Sequence, residues 1–319
     1  MSAATRMPTC FIPHGAGPCF FMDWNPPTTW HRMRDFLMGM ADTLPARPTA
    51  IVMVSGHWLT GGFNVTSGAQ PDLIYDYGGF PPHTYELRYP APGEPQLAER
   101  ITALLHAAGQ PSQADAQRGF DHGMFIPLKL MFPDADVPVV QLSLRHDLDP
   151  LAHLQAGQAL TALRDEGVLI VGSGLTFHNM RGFGQPSSTP VAQAFEHFLH
   201  EVVTMPSAAT RHQALMNWTQ APGARQAHPR EDHLLPLMVV AGAAGDDPGQ
   251  RVLLEHALAV DMESAAVAQV CRDFGVGFGA VRTISDRADN EAHVDFPRFL
   301  DQVARHYSAR IIRKALNLL

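Results

Sequence analysis

Short apolar runs that end in turn-forming residues alternate with longer amphipathic segments along most of this chain. The runs are almost continuously hydrophobic, which is typical of strands buried on both faces of a parallel sheet. We predict four such strands before residue 250, at Thr9–Pro13, Ala50–Ser55, Val137–Leu142 and Gly167–Gly172. The predicted helices between and after them are Trp30–Leu44, Pro95–Ala108, Leu151–Glu166, Pro190–Val203 and Leu234–Ala243. This alternation indicates an α/β fold with a mostly parallel central sheet flanked by helices.

Three stretches interrupt the alternation. Asp72–Gly93 is rich in Tyr, Gly and Pro, so we predict a long loop over a site. Met205–Arg230 is a polar stretch, and Gly242–Gln250 is the best candidate for a junction. We therefore expect a catalytic domain at 1–250 and a C-terminal segment at 251–319 that packs on or completes the same α/β domain. Within that segment the pattern predicts the helix Asp261–Phe274, the strand Gly277–Thr283 and the helix Phe296–Leu316.

Composition narrows the choice of partners and compartment. The chain has 319 residues, of which 45% are hydrophobic, and this is enough for a large buried core. With 23 basic and 31 acidic residues the net charge is −8, which argues against nucleic acid and against anionic membrane surfaces as partners. No apolar run approaches the roughly 20 residues that a membrane span needs, and the first residues lack a signal-peptide pattern. We expect a cytoplasmic protein, and the spacing of Cys10, Cys19 and Cys271 argues against a disulfide framework.

Five histidines stand in distinctive local sequences, namely His14, His57, His122, His178 and His233. Three of them, at positions 14, 57 and 178, come just after predicted strands, at the edge of a parallel sheet where sites form. Neutral imidazole suits iron and zinc, and imidazole also transfers protons readily near neutral pH. A single histidine after a strand is more often structural, but several in similar positions predict a mononuclear metal site with histidine acid–base partners.

Other catalytic signatures are missing from the sequence. It contains no GxSxG, HExxH or P-loop motif, and we interpret Gly172-Ser173-Gly174 as a strand-ending turn rather than a nucleophile elbow. Glu231 and His233 are two residues apart, so in a regular helix they would face different directions and only one could bind a metal.

Residues 8–247 resemble the class III extradiol dioxygenases of the LigB-like superfamily, in the branch that includes DOPA dioxygenases. Matching segments follow one another in the family's order, and they include Phe11-Ile12-Pro13-His14-Gly15, Ser55-Gly56-His57-Trp58, Ile74-Tyr75-Asp76-Tyr77-Gly78-Gly79-Phe80-Pro81, Arg118-Gly119-Phe120-Asp121-His122-Gly123, His178-Asn179-Met180-Arg181 and His228-Pro229-Arg230-Glu231-Asp232-His233. One departure is Ala16-Gly17-Pro18, where many relatives have Ser-Pro. The resemblance implies a LigB-like, phosphorylase/hydrolase-like architecture.

The same resemblance implies the site and the reaction. His14, His57 and His233 would hold a catalytic Fe(II), with zinc possible in the same site. His178 matches the family's acid–base histidine, and His122 matches a second proton-transfer histidine. The implied partners are a small catecholic substrate and O2, and the implied product is of the muconic semialdehyde type. Related enzymes often associate, so a homo-oligomer is an open expectation.

The C-terminal segment carries a second resemblance. Ala259–Val270 and Val281–Asp289 resemble the end of methylthioadenosine/adenosylhomocysteine nucleosidases, which are purine phosphorylase-like proteins. That family implies ribose contacts for Met262 and Glu263 and proton donation to the purine for Asp286. Because the segment supplies only one side of such a pocket, we expect these residues to be vestigial. Purine nucleoside cleavage through this segment, and an inactive zinc-binding homologue, are the two alternatives to ring cleavage.

Overall fold

A computed structural model describes residues 5–183 and 185–252, all of which belong to one compact unit. Its six strands form one sheet, and they are β1 (Thr9–Pro13), β2 (Ala50–Thr60), β3 (Phe63–Thr66), β4 (Ser112–Asp115), β5 (Val139–Arg145) and β6 (Val168–Gly174). The α-helices of the described residues are α1 (His31–Met40), α2 (Pro95–Ala107), α3 (His122–Met131), α4 (Pro150–Leu160), α5 (Thr189–Val203), α6 (Ala208–Met216), α7 (Ala224–Ala227) and α8 (Leu235–Ala244). None of these helices is long and apolar enough to cross a membrane.

The strand order is β1-β6-β2-β5-β3-β4, and the one antiparallel pairing is between β3 and β5. Ser173 of β6 pairs with Ile12 of β1 on one side and with Ser55 of β2 on the other. The carboxyl ends of three neighbouring strands therefore meet at one edge of the sheet. The residues that end or follow these strands therefore lie close together. Sites in parallel sheets form at this edge.

Hydrophobic layers cover both faces of the sheet and explain the continuous apolar runs. In β2, Ile51 and Met53 belong to the layer that includes residues of α1 and α3. Val52 and Val54 belong to the opposite layer, with residues of α2, α4, α5 and α8. All four side chains have 0% exposure, because successive residues of a strand point to opposite faces and both faces are covered.

The α/β fold, the four predicted strands and the five predicted helices of the described region are confirmed. Most ends shift by a few residues, but β2 continues to Thr60 and α4 ends at Leu160, where a 3-10 helix takes over to Glu166. The sequence prediction missed β3 and β4, which have only four residues each. It also missed α3, where it expected a loop around His122, and α6 and α7, which lie within the polar stretch Met205–Arg230. The elements predicted beyond residue 252, together with Cys271, Met262, Glu263 and Asp286, lie outside the described residues. The division into 1–250 and 251–319 therefore stays a prediction.

Candidate metal centre and active site

Three histidine side chains converge at the carboxyl edge of the sheet. The Nε2 atom of His57 lies 3.3 Å from Nε2 of His14 and 3.2 Å from Nε2 of His233. His14 follows β1 directly and is 1% exposed, and His233 is 4% exposed. Three nitrogen atoms from three distant parts of the chain thus face one another in a buried space.

The hydrogen bonds of Ser173 fix the tautomer of His14. Ser173 Oγ donates its proton to the carbonyl oxygen of Gly123 at 2.5 Å, and a hydroxyl has only one proton to give. At 2.9 Å from His14 Nδ1, the same oxygen must therefore accept from the ring. The ring proton of His14 is therefore on Nδ1, and Nε2, which contacts Nε2 of His57, has a free lone pair.

The other two rings also have oxygen acceptors beside Nδ1. Asp232 Oδ1 lies 3.2 Å from Nδ1 of His233, and Asp76 Oδ2 lies 3.7 Å from Nδ1 of His57. Carboxylates beside Nδ1 favour a proton there, as they do in metal-binding histidines, and leave Nε2 free. Ligands about 2.1 Å from one metal ion are separated by about 3.0 to 3.4 Å in octahedral to tetrahedral arrangements. The donor set and its spacing therefore fit one mononuclear metal ion.

Burial keeps His14 and His57 neutral. It lowers the pKa of His14 well below its ordinary value, and the neighbouring His57 and His233 lower it further. Burial also lowers the pKa of His57, with His122 and His233 adding to the effect and Asp76 opposing it. Neutral imidazole is the form that binds a metal, so the site is prepared for one near neutral pH.

His57 lies within a strand and not after one, so that part of the sequence prediction was wrong. β2 continues to Thr60, and its pairing with β5 shifts register between Val54 and Leu59. Such irregularities bend a strand and redirect its side chains. A β-carbon on Gly123 would lie 2.8 Å from His57 Cδ2, so α3 begins in close contact with the ring.

His233 lies in a turn ahead of α8, so it and Glu231 are not on one regular helix as the sequence prediction assumed. The turn packs on the end of β6, because Leu175 N donates to His233 O at 3.0 Å. A β-carbon on Gly174 would meet that same carbonyl oxygen at 2.1 Å. Glu231 instead pairs with Arg225 at 2.6 Å.

His122 is the first residue of α3 rather than part of a loop, and it lies beside His57 with ring centroids 4.0 Å apart. Asp76 Oδ1 accepts from its backbone N at 2.9 Å and lies 2.8 Å from its Nδ1. Burial raises the pKa of Asp76, but the hydrogen bonds and charge of His122 outweigh it and the net pKa is lowered. Asp76 is therefore a carboxylate at neutral pH.

His178 stacks on His233, with ring centroids 3.4 Å apart and planes 12° from parallel. Its backbone N donates to Ala227 O at 2.9 Å, and its Nδ1 lies 4.0 Å from Asp232 Oδ1. Burial, and then His233, lower the pKa of His178 to about 4, although Asp232 opposes the change. The ring is neutral near pH 7, which is the form that accepts a proton.

The five sequence-predicted histidines are thus all brought together. Two clusters of possible ligand atoms, each within 4.8 Å, comprise His14, His57 and His122 in one and His178, Asp232 and His233 in the other. The Nε2 contact between His57 and His233 joins the clusters. His57 Nε2 therefore contacts nitrogen atoms of both His14 and His233, while the ring of His122 packs beside His57 and the ring of His178 stacks on His233.

A cavity of about 600 Å³ opens beside this centre. Its lining consists of His178, Asn179, Met180, Arg181, Pro229, Arg230 and Asp232. The volume lies within the range of small-molecule sites. The guanidinium of Arg181 has no acidic partner in the described part of the chain, whereas Arg230 Nε lies 3.8 Å from Asp232 Oδ2.

Sequence reasoning missed the residues that hold the histidines in place. Ser173 was assigned to a turn, but it is inside β6 and fully buried. Asp76 and Asp232 were within quoted motifs but had no role. Ser55 Oγ accepts from His57 N at 3.1 Å and donates to buried Asp121 at 2.9 Å. For Asp121 and Asp232, the sequence did offer a signal, because each directly precedes one of the five histidines.

Comparison with known proteins finds a matching family model, similar sequences and a similar solved structure. The family model of the catalytic LigB subunit of aromatic ring-opening dioxygenase matches residues 9–270. The 4,5-DOPA dioxygenase extradiol of Escherichia coli is 40% identical over 251 residues, which cover 77% of this chain and 89% of that protein. The crystal structure of an uncharacterized protein from Escherichia coli K12 has 36% identity and a TM-score of 0.60, over 75% of this chain and 89% of the other.

The C-terminal part matches a different family. The phosphorylase superfamily model covers residues 247–317, so the two family matches overlap at 247–270. A 5'-methylthioadenosine/S-adenosylhomocysteine nucleosidase of Bacillus cytotoxicus is 42% identical over 87 residues, which cover 24% of this chain and only 38% of the nucleosidase.

Proposed function

The chain belongs to the LigB family and is an extradiol, aromatic ring-opening dioxygenase, and we propose that it cleaves a catechol with O2 at an Fe(II) ion held by His14, His57 and His233. The observation that carries this proposal is the contact of three Nε2 atoms at 3.2 and 3.3 Å around His57. Imidazole donors suit both Fe(II) and zinc, so zinc is an alternative occupant.

Bound Fe(II) would supply open coordination positions for the two catechol oxygens and for O2. His178 is neutral and lines the cavity, so it accepts a proton from the catechol hydroxyl. His122 lies on the other side of His57 and exchanges a second proton through Nε2, because Asp76 occupies its Nδ1. Positioned proton transfers of this kind contribute about 10²–10⁴-fold to a rate.

The overall reaction needs no reductant. One carbon–carbon bond of the ring beside the diol breaks, and both atoms of O2 enter the product as an aldehyde and a carboxylate. The product is a muconic semialdehyde, which is yellow in its ionised form.

The cavity favours a catechol that carries a negatively charged substituent. Arg181 and Arg230 are both part of its lining, and arginine binds carboxylates through paired N–H groups. The relative from Escherichia coli is named for DOPA, an amino-acid catechol with a carboxylate. We therefore propose a DOPA-like substrate. A cytoplasmic location and a homo-oligomeric state remain proposals from the sequence.

Oxygen consumption after anaerobic loading with Fe(II) tests the proposed function. We expect uptake with a panel of DOPA, protocatechuate and unsubstituted catechol, together with a new yellow chromophore, and no uptake by His14→Ala. If the protein holds one iron per chain and consumes no O2 with any catechol, the proposal is wrong.

A second candidate function is the cleavage of purine nucleosides, because residues 247–317 match the phosphorylase superfamily. That activity would use Met262, Glu263 and Asp286. Since the chain covers 38% of the nucleosidase relative, most of that protein's sequence has no counterpart here. We expect the wild-type protein to release no adenine from methylthioadenosine. Adenine release by wild type that is lost in Asp286→Asn would establish this second function.

A further inference from the structure

We propose that Asp76 is a shared positioning residue, whose one carboxylate sets the ring tautomers of both His57 and His122. The inference rests on the proposed function, in which His57 binds the metal and His122 transfers a proton. Asp76 is neither a proposed metal ligand nor a proposed proton-transfer residue, and the inference gives it a role in both.

The two carboxylate oxygens of Asp76 serve different rings. Oδ1 accepts from the backbone N of His122 at 2.9 Å and lies 2.8 Å from its Nδ1. Oδ2 lies 3.7 Å from Nδ1 of His57. A carboxylate has two acceptor atoms and no proton, so both rings can keep their proton on Nδ1 at once.

Backbone hydrogen bonds hold the loop just before Asp76. Ile74 N donates to Phe120 O and Phe120 N donates to Asp72 O, each at 2.8 Å. These two backbone bonds tie the loop to the segment that enters α3.

The tyrosines beside Asp76 are also anchored. Tyr75 donates to Leu87 O at 2.5 Å, and Tyr77 donates to Thr84 O at 2.6 Å. The ring of Tyr77 packs edge-on against His122, with centroids 5.6 Å apart. The carboxylate is therefore delivered by a fixed backbone, and its side chain is only 24% exposed.

The arrangement has two consequences. In His57, a proton held on Nδ1 leaves the Nε2 lone pair facing His14 and His233. In His122, a proton held on Nδ1 leaves Nε2 as the ring atom that can accept and return a proton. One carboxylate thus couples metal binding to proton transfer.

The variant Asp76→Asn distinguishes a shared positioning role of the Asp76 carboxylate from a merely structural role of the side chain. Two donors of His122 keep the amide oxygen on their side, so the amide N–H₂ faces Nδ1 of His57. The negative charge that favours a proton on Nδ1 of His57 is then replaced by N–H groups, so the tautomer with a free Nε2 is no longer favoured. Asp72→Asn is the matched control, because Asp72 is exposed in the same loop and its carboxylate has no partner among the described residues.

We expect Asp76→Asn to bind Co(II) about 10–100-fold more weakly than wild type in chelator competition, a typical loss for partners of metal-binding histidines. At saturating Fe(II), we expect its kcat for catechol cleavage to fall about 10²-fold or more. Asp72→Asn should stay within about twofold of wild type in both measurements. Wild-type values for Asp76→Asn, or a loss confined to one of the two measurements, would overturn the shared role.

A measurement on the wild-type protein covers the case in which Asp76→Asn does not fold. Long-range ¹H–¹⁵N correlation of the Zn(II)-loaded protein reports which ring nitrogen carries a proton. We expect Nδ1 to be protonated in both His57 and His122, and an unprotonated Nδ1 in either ring would contradict the inference. If wild type binds iron but cleaves no catechol, the proposed function fails. Co(II) affinity and the ring tautomers would still test the positioning role of Asp76.

Discussion

Ser173 Oγ lies 2.9 Å from Nδ1 of His14 and donates its only proton to a backbone carbonyl, so the serine can only accept from the ring. This contact selects the His14 tautomer whose Nε2 is free to bind a metal. The serine is inside β6 and pairs with the strand that leads to His14, so the sheet register itself places it.

Ser173→Ala should weaken metal binding without removing a ligand. With no acceptor at Nδ1, His14 is no longer confined to the metal-binding tautomer, and we expect a 10–100-fold loss of Co(II) affinity. Ser143→Ala is the matched control, because Ser143 is equally buried but bonds to Thr60 and Asn64. Each variant should lose about 1–3 kcal/mol of unfolding free energy. Equal metal affinities in the two variants would contradict the tautomer argument.

Replacing the cavity arginines should affect carboxylated substrates selectively. We expect Arg181→Gln and Arg230→Gln each to raise KM for DOPA about 10-fold, which corresponds to one lost charged hydrogen bond. KM for unsubstituted catechol should change less than twofold. Arg100→Gln is a suitable control, because that side chain pairs with Glu166 at the surface. Equal effects on both substrates would show that the arginines do not recognise the carboxylate.

His153 should make the stability of the protein depend on pH. Its Nε2 accepts from Arg145 N at 3.1 Å, and its Nδ1 donates to Asp149 O at 2.6 Å. Burial is the main reason that its pKa is lowered to about 4 from 6.5. Between pH 4 and pH 6.5 the unfolded chain therefore binds more protons than the folded protein. The contribution of neutral His153 to the unfolding free energy is complete above pH 6.5 and is lost as pH falls toward 4.

Comparison with His153→Gln isolates this contribution. From pH 7.5 to pH 4, the unfolding free energy of the metal-free wild type should fall by about 3 kcal/mol more than that of the variant. Denaturant titrations at several pH values measure the difference. Parallel pH curves would mean that His153 is not held neutral by burial.

The sequence predicted the fold because buried strands and amphipathic helices have distinct periods. β2 is an example, since Ile51–Val54 has 0% exposure on both faces of the sheet. The prediction failed at β4, whose sequence Ser-Gln-Ala-Asp is polar because the strand lies at the edge of the sheet. Edge strands have too little buried surface to leave a hydrophobic pattern.

The five histidines that the structure brings together were singled out from local sequence and family resemblance, but the residues that contact their rings were not. Asp76 and Ser173 contact rings that are 46 and 159 positions away in the chain. Such pairs form only when the strands are in register and the loop is closed. His57 was misplaced because Trp58–Thr60 continue the strand through an irregular pairing, which no local pattern reveals.

The assignment of roles among the histidines is tested most directly by comparing His233→Ala with His178→Ala after the same anaerobic loading with Fe(II). Bound iron per chain and O2 uptake with DOPA are measured on both proteins. We expect His233→Ala to lose iron and activity together. His178→Ala should keep one iron per chain and lose about 10²–10⁴-fold in turnover. Full iron binding by His233→Ala, or wild-type turnover by His178→Ala, would contradict the account.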